Sequence, residues 1–346
     1  MTRPFLALGV ETSCDETAAA VVRDECEVLS NAVHSQIHLH ARYRGVVPEV
    51  ASRSHTERIV GILEHALSDA GVTPEDLDLI AVTARPGMIG SLLVGLAAAK
   101  ALALRFEKPL VGVDHVAAHL HAGFMAEPGM PLPCLTLMAS GGHTALYLVE
   151  ARGQARRLGR TLDDAAGEAL DKGASLLGLP YPGGPSIQEA ARSGDPKAVQ
   201  LPRPMLGPDS LDFSFSGMKT ALLYHLRGNA LTRPMPELSE DEVADLAASY
   251  QLAVVDTLIR KLRRAARQHP GVRSLSIGGG VARNELLRAR LAEDRELRNL
   301  HLVLPPLSLC TDNGAMIAGL GTHLFRDRGM RDDLTLDARA TSRRDS

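Results

Sequence analysis

The strongest limit on the fold of this chain is a likeness between two of its own segments. FLALGVETSCDETAAAVV (5–22) and LTLMASGGHTALYLV (135–149) each read as an apolar strand, a small polar turn, and a Thr-Ala step into a second apolar strand. If the likeness is an internal repeat, the chain holds two similar lobes, each opening on a hairpin. Turns of this kind offer backbone N–H groups and hydroxyls to an anion, which suits a phosphate held in a cleft between lobes. A length of 346 residues leaves room for two lobes, each with a sizeable core.

Between the hairpins the pattern alternates in a βαβ manner. Thr73 and Pro74 start a short helix, and LDLIAVT is a buried strand. RPGMIGS is a glycine-bearing loop ahead of an apolar helix over about 89–105, and PLVGV is a further strand. In the second half, Ser239 and Glu242 form a capping box, and Val243, Leu246, Tyr250, Val254, Leu258 and Leu262 recur at helical spacing. Packing alone explains that long amphipathic helix. SLSIGGGVARN then reads as strand, glycine turn and helix start, with Asn284 able to hydrogen-bond the edge of a flat ligand. Asp312 and Asn313 stand ahead of a small-residue helix over about 314–328, where Asp312 is open to a capping role. DDLTLDARATSRRDS looks like a loose tail.

His115 and His119, four apart in DHVAAH, share one helical face, so two imidazoles can converge on one ion. The zinc-protease pattern has the same spacing but needs a glutamate after the first histidine to activate water, and Val116 holds that place. Protease chemistry therefore lacks its base. Asp163, Asp164, Glu168 and Asp171, in a segment dense in acids and glycines, read either as ligand contacts or as a solvated helix face.

Cys14, Cys26, Cys134 and Cys310 are scattered without a C-x-x-C pair, so no zinc ribbon or disulfide framework is indicated. A formal net charge of -3 and the absence of tryptophan give no global pull on nucleic acid. RKLRRAAR (260–267) is the densest basic patch and reads first as a solvated helix face. No apolar run approaches the ~20 residues of a membrane span, and no secretion-signal pattern is present, so the expectation is a cytoplasmic protein with no membrane association.

Ten strings in order, GVETSCDET, GVVPEVASRSH, PGMIGSLLVG, VDHVAAH, SGGHT, DDAAGEALDKGA, YPGGP, LDFSFSGMKT, GGGVARN and CTDNGAMIA, resemble the bacterial tRNA threonylcarbamoyladenosine transferases, relatives of the Kae proteins. The resemblance implies an α/β chain of the actin-like ATPase (ASKHA) fold, two ribonuclease H-like lobes around a nucleotide cleft. The lobes expected are 1–131 and 132–313, with the helix at 314–328 packing back on the first and 329–346 loose. It implies transfer of a threonylcarbamoyl group from threonylcarbamoyl-AMP to the exocyclic amine of the adenosine 3′ of the anticodon, in tRNAs reading codons that begin with A. By this resemblance His115, His119 and, from the second lobe, Asp312 hold one divalent metal ion, iron (Fe2+) or zinc. The adenylate would lie against Met138, Ala139, Ser140, Gly141, Gly142, Asp171, Gly184 and Asn284.

Chemistry refines those roles. Ser140, Gly141 and Gly142 suit donors to a carbamoyl or phosphate group, Asp171 suits ribose hydroxyls, and Gly184 lets backbone approach the nucleoside. Asn284 suits either the adenine or its ribose. Asp15 and Glu16, in the first hairpin turn, are the candidates for accepting the amine proton or orienting the amine. Archaeal and eukaryotic relatives add a tyrosine ligand where this chain has Met138, which leaves the site more open. The expected partners are tRNA, a degenerate paralogue of the same fold (TsaB) and a small ATPase (TsaE). A small-molecule kinase or a nucleotide-switch protein of the same superfamily is the competing expectation; a His-His-Asp donor set favours a transition metal over the Mg2+ of a kinase.

Overall fold

The computed structural model describes residues 3–43, 45–228 and 230–342. In chain order they form β1 (Leu6–Glu11), β2 (Glu16–Arg23), β3 (Glu27–Ser35), α1 (Ile37–His40), α2 (Pro48–Ala70), β4 (Leu79–Arg85), α3 (Ile89–Arg105), β5 (Leu110–Asp114) and α4 (His115–Ala126). There follow β6 (Cys134–Ala139), β7 (Thr144–Ala151), β8 (Gln154–Arg160), α5 (Ala166–Leu176), α6 (Gly183–Ala190), α7 (Ser216–Arg227), α8 (Glu240–Gln268), β9 (Ser274–Gly278), α9 (Glu285–Ala292), β10 (His301–Val303) and α10 (Gly314–Arg328).

Two compact units divide these elements. One comprises the described residues of Met1–Met130, Ala151–Gln154 and Pro305–Ser346; the other comprises Pro131–Glu150 and Ala155–Leu304. The first unit carries a sheet of order β3-β2-β1-β4-β5, and the second one of order β8-β7-β6-β9-β10. In both, the first strand pairs antiparallel with the second and parallel with the fourth, and the fourth and fifth are parallel. The same five-strand order twice over means that the two hairpins open two copies of one architecture.

In the first unit both sheet faces are covered, so its inner strands are apolar throughout rather than alternating. Leu8 and Val10 of β1, with Ile80 and Val82 of β4, face Ile59 and Leu63 of α2 and Leu96 and Ala99 of α3. Ala7, Leu79, Ala81, Val111 and Val113 on the opposite face meet Ala118 and Ala122 of α4 and Ala315, Met316 and Leu320 of α10. The small residues of α10 are a packing requirement. A Cβ on Gly9 would fall 2.1 Å from the Gly314 carbonyl oxygen and 2.4 Å from the Ala318 nitrogen, so β1 and α10 touch backbone to backbone.

Three expectations change. The first unit resumes at Pro305 rather than after 313, because the segment leading into α10 follows that helix, and Asp312 therefore lies in the same unit as the two histidines. The segment expected to be loose is tied down as far as it is described. Asp332 bonds Leu110 and Gly112 on β5, Arg339 N donates to the Ala84 carbonyl at 2.9 Å, and Leu336 packs against the α2–α3 face of the sheet. The basic patch on α8 is engaged by intramolecular partners at four of its five cations, all but the exposed Arg260. Arg263 and Arg267 pair with Asp294 and Glu296, Lys261 donates to the carbonyls of Met205 and Ser210, and Arg264 to those of Met205, Gly207 and Ser210. No described helix is long and apolar enough to cross a membrane.

Candidate functional site

β5 ends at Asp114, whose carboxylate accepts from the backbone nitrogens of Val116 and Ala117 and so starts α4 at His115. His115 and His119 then lie edge to face one turn apart, ring centroids 4.7 Å from each other and planes at 87°. Asn313, not Asp312, caps α10, its Oδ1 accepting from Met316 N at 2.9 Å. This frees Asp312 to turn toward the histidines, with Oδ1 3.0 Å from His119 Nε2 and 3.5 Å from His115 Nε2. One ligand atom from each of the three lies within 4.8 Å of the other two.

A residue absent from the sequence reading sets the orientation. Glu11, fully buried at the end of β1, places Oε2 2.9 Å from His115 Nδ1 and 2.6 Å from the Thr83 hydroxyl, and it also accepts from Ser13 N. A carboxylate can only accept, so His115 carries its proton on Nδ1 and turns Nε2 toward Asp312. Burial alone would raise Glu11 and depress His115. The charge and hydrogen bond of His115 hold Glu11 below its usual range, while Asp312 and Glu11 push His115 up to about 9. His119 is depressed by burial, and its buried Nδ1 has no hydrogen-bond partner among the described residues. Two imidazoles and one carboxylate, oriented from behind by a second carboxylate, fit a transition-metal ion in donor chemistry and spacing. An ion held by these three side chains would keep positions for oxygens of a ligand. A lone acid ending the apolar run LALGV was the sequence signal for Glu11: a buried carboxylate needs a partner.

Asp15 and Glu16 stand beside this cluster in the β1–β2 turn. Glu16 Oε1 accepts from Ser35 Oγ at 3.2 Å. Burial pushes the Glu16 carboxyl well up, and the charges of Asp312 and Asp15 push it further.

The second unit gathers the remaining predicted residues. The Ser140 turn closes on itself through Ser140 N to His143 O at 2.7 Å, and Gly167 N at the start of α5 donates to Ser140 O at 3.1 Å. Met138 and Ala139 are each 1% exposed, so their side chains belong to the core, while Gly141 and Gly142 face open space. Asp171 on α5 accepts from Gly183 N at 2.7 Å and thereby fixes the start of α6. Gly183 touches α5 so closely that a Cβ would lie 2.4 Å from Asp171 Cα, whereas at Gly184 a Cβ would meet only Leu170 Cδ1, at 3.9 Å. The glycine turn after β9 crosses the end of β6: at Gly279, with φ of +85°, a Cβ would fall 2.3 Å from the Ala139 carbonyl oxygen. Asn284 uses its Oδ1 to cap α9, accepting from Leu287 N at 3.0 Å. Of the other acids, Asp163 caps α7 and Asp164 and Glu168 pair with Lys172, which leaves Asp171 as the one that faces the glycine helix start.

The strand order and similar solved structures define the class, the actin-like ATPase fold. Thermococcal HypF (T. kodakarensis) superposes with a TM-score of 0.60 at 17% identity, over 94% of this chain and 48% of that one. Component A of the Acidaminococcus fermentans (R)-2-hydroxyglutaryl-CoA dehydratase does so at 0.53 and 13%, over 94% and 100%. Within that class, sequence separates the families. A sequence profile of the tRNA N6-adenosine threonylcarbamoyltransferase family matches residues 27–319. Proteins of that name from Anaeromyxobacter dehalogenans (strain 2CP-C) and Symbiobacterium thermophilum are 51% and 52% identical, covering 97% and 96% of this chain and 98% and 95% of their own lengths. The chain belongs to this family, whose work is tRNA threonylcarbamoyladenosine modification, and it is a transferase. The kinase and nucleotide-switch readings are not favoured.

Proposed function

We propose that the chain carries the threonylcarbamoyl group of threonylcarbamoyl-AMP to the exocyclic amine of the adenosine 3′ of the anticodon, in cytoplasmic tRNAs that read codons beginning with A. The site would be formed by His115, His119 and Asp312 around one iron or zinc ion, with the adenylate against Ser140, Gly141, Gly142, Asp171, Gly184 and Asn284 and the backbone of Met138 and Ala139. The observation that carries this reading is the aim of His115: Glu11 holds Nδ1, and Nε2 points at Asp312 beside His119.

In the transfer, the adenine nitrogen bonds to the carbamoyl carbon, the carbon–oxygen bond to phosphate breaks, AMP leaves, and the amine gives up a proton. No protein nucleophile is needed. His115, His119 and Asp312 would hold a divalent cation, which would supply charge to polarise the carbamoyl oxygen and offset the leaving phosphate. Asp15 and Glu16, next to Asp312, would orient the amine and take its proton. In the second unit, the open faces of Gly141, Gly142 and Gly184 admit a ligand where any side chain would intrude, and Asp171 offers its carboxylate to ribose hydroxyls. Arg263, Arg264 and Arg267 of α8 are engaged within the fold, which supports tRNA docking on other surfaces or with help from a paralogue of the same fold and a small ATPase.

The test is direct. Incubate the metal-loaded protein with threonylcarbamoyl-AMP and unmodified tRNA, with and without the paralogue and ATPase, and look for threonylcarbamoyladenosine in the nucleoside digest by mass spectrometry. Product lost in His119→Ala and Asp312→Ala supports the site; no product under any condition, or full activity in both variants, overturns it.

A further inference from the structure

A second group of histidines and acids lies in the first unit. Glu25 sits in the turn between β2 and β3, His121 on α4, and His323 and Asp327 one turn apart on α10. One ligand atom each of Glu25, His323 and Asp327 lies within 4.8 Å of the others. His121 Nε2 is 3.2 Å from Glu25 Oε1, and the rings of His121 and His323 stack at 5.7 Å. The backbone of Glu25 has φ of +76°, a conformation that ordinarily selects glycine or asparagine, so a long acidic side chain is held where turn chemistry disfavours it.

The hydrogen bonding of these histidines is incomplete. His323 Nε2 donates to the Arg152 carbonyl at 3.3 Å, which in the neutral ring leaves the Nδ1 lone pair turned toward Asp327 Oδ2, 2.8 Å away. That approach is out of hydrogen-bond alignment, and Nδ1 has no partner among the described residues. His121 Nδ1 also has no hydrogen-bond partner among the described residues, although the side chain is 1% exposed, and its Nε2 reaches only Glu25. A buried imidazole lone pair facing a carboxylate is repulsive unless a proton or a cation stands between them. The Arg152 guanidinium reaches Glu25, at 3.0 Å, and neutralises one of the two acids. The second acid has no described cationic partner besides His323. One ring nitrogen bonded to a backbone carbonyl while the other faces a carboxylate, with Glu25 in the same 4.8 Å group, is how a metal-bound imidazole is oriented.

We propose that Glu25, His323 and Asp327, with His121 behind Glu25, form a second cation site for a zinc-class divalent ion, separate from the His115–His119–Asp312 cluster. Its ligands come from a hairpin turn and α10, with α4 adjacent, so its role is to clamp the turn to the two helices. The inference does not depend on the transfer reaction.

Cobalt titration of the metal-free protein reads the site, because bound Co2+ absorbs in the visible and the band strengthens at low coordination number. The wild type is expected to take two equivalents and His115→Ala/His119→Ala one. In that double variant, Asp327→Asn and His323→Gln are each expected to abolish the remaining equivalent. Asp327 is 56% exposed, so Asp327→Asn tests the site even if His323→Gln fails to fold. A double variant that binds no Co2+, or one whose binding survives Asp327→Asn, would mean that the cluster is only a His–Asp ion pair and the site does not exist.

Discussion

Glu11→Gln tests the central geometric claim, because it changes one buried atom pair and leaves every proposed ligand in place. Three donors converge on the Glu11 carboxylate: His115 Nδ1 at 2.9 Å and Thr83 Oγ1 at 2.6 Å on one oxygen, Ser13 N on the other. A carboxamide has one oxygen and one NH2 group. If its oxygen faces His115 and Thr83, its NH2 meets the Ser13 N–H, donor against donor. If it is flipped, its NH2 meets His115, and the ring must carry its proton on Nε2, where it cannot ligate. A buried donor left without an acceptor costs about 1–3 kcal/mol. Loss of an outer partner of a metal-bound histidine weakens metal affinity about 10–100-fold, equivalent to about 1.4–2.7 kcal/mol. The two routes agree, so Glu11→Gln is expected to retain its fold and bind Zn2+ at least about tenfold more weakly. Competition against a chromogenic chelator measures this. Unchanged Zn2+ affinity in a well-folded variant would refute the claim that Glu11 aims His115.

Asp171→Ala removes the acceptor that holds Gly183 N at the start of α6, at a cost of about 1 kcal/mol. Adenylate affinity, by calorimetry, is expected to fall while metal content stays constant; equal loss of both would mean that the two sites are not independent. Gly183→Ala and Gly184→Ala form a contrasting pair. The first forces a Cβ to 2.4 Å from Asp171 Cα and is expected to lower stability by about 1–3 kcal/mol, while the second meets only Leu170 and leaves the melting temperature unchanged or raised. Adenylate binding that persists in Gly184→Ala would remove Gly184 from the ligand surface. Leu336→Ala should cost about 1 kcal/mol, a drop of a few degrees in melting temperature, because Leu336 caps Gly112 and the α2–α3 face. An unaltered melting curve would restore the picture of a loose tail.

What was legible in the sequence follows from the range of the forces involved. The two hairpins, the apolar helix at 89–105 and the capping box of Ser239 and Glu242 are local patterns, and each appears where the pattern put it. His115 and His119 were legible for the same reason, since helical periodicity alone brings them together. Glu11 was not, because a partner 104 positions away decides whether a buried acid is a flaw or a function. The tail misled because DDLTLDARATS is polar on average; its anchoring rests on Leu336, Asp332 and one backbone bond to Ala84, contacts no window of sequence shows. Asn284 and Asp312 exchanged expectations in part. Asn284 caps a helix in addition to any ligand role, and Asp312 escapes the capping role because its neighbour Asn313 takes it.

The placement of Asp312 has a consequence for how the site can work. With all three proposed ligands in one compact unit, the geometry of the metal seat is set by β5, α4 and the start of α10, and by Glu11 on β1 behind them. These elements share one sheet and one core, with Gly9 and Gly314 in backbone contact across the face that carries Asp312. The proposed metal ligands are therefore all positioned by that one core. The residues proposed to hold the adenylate belong to the other unit, and its turns are stabilised among themselves through Asp171, Gly183, Ser140 and Gly279. Because neither residue set draws on the other's elements, substitutions among the proposed metal ligands are expected to leave the turns of the second unit intact, and the reverse.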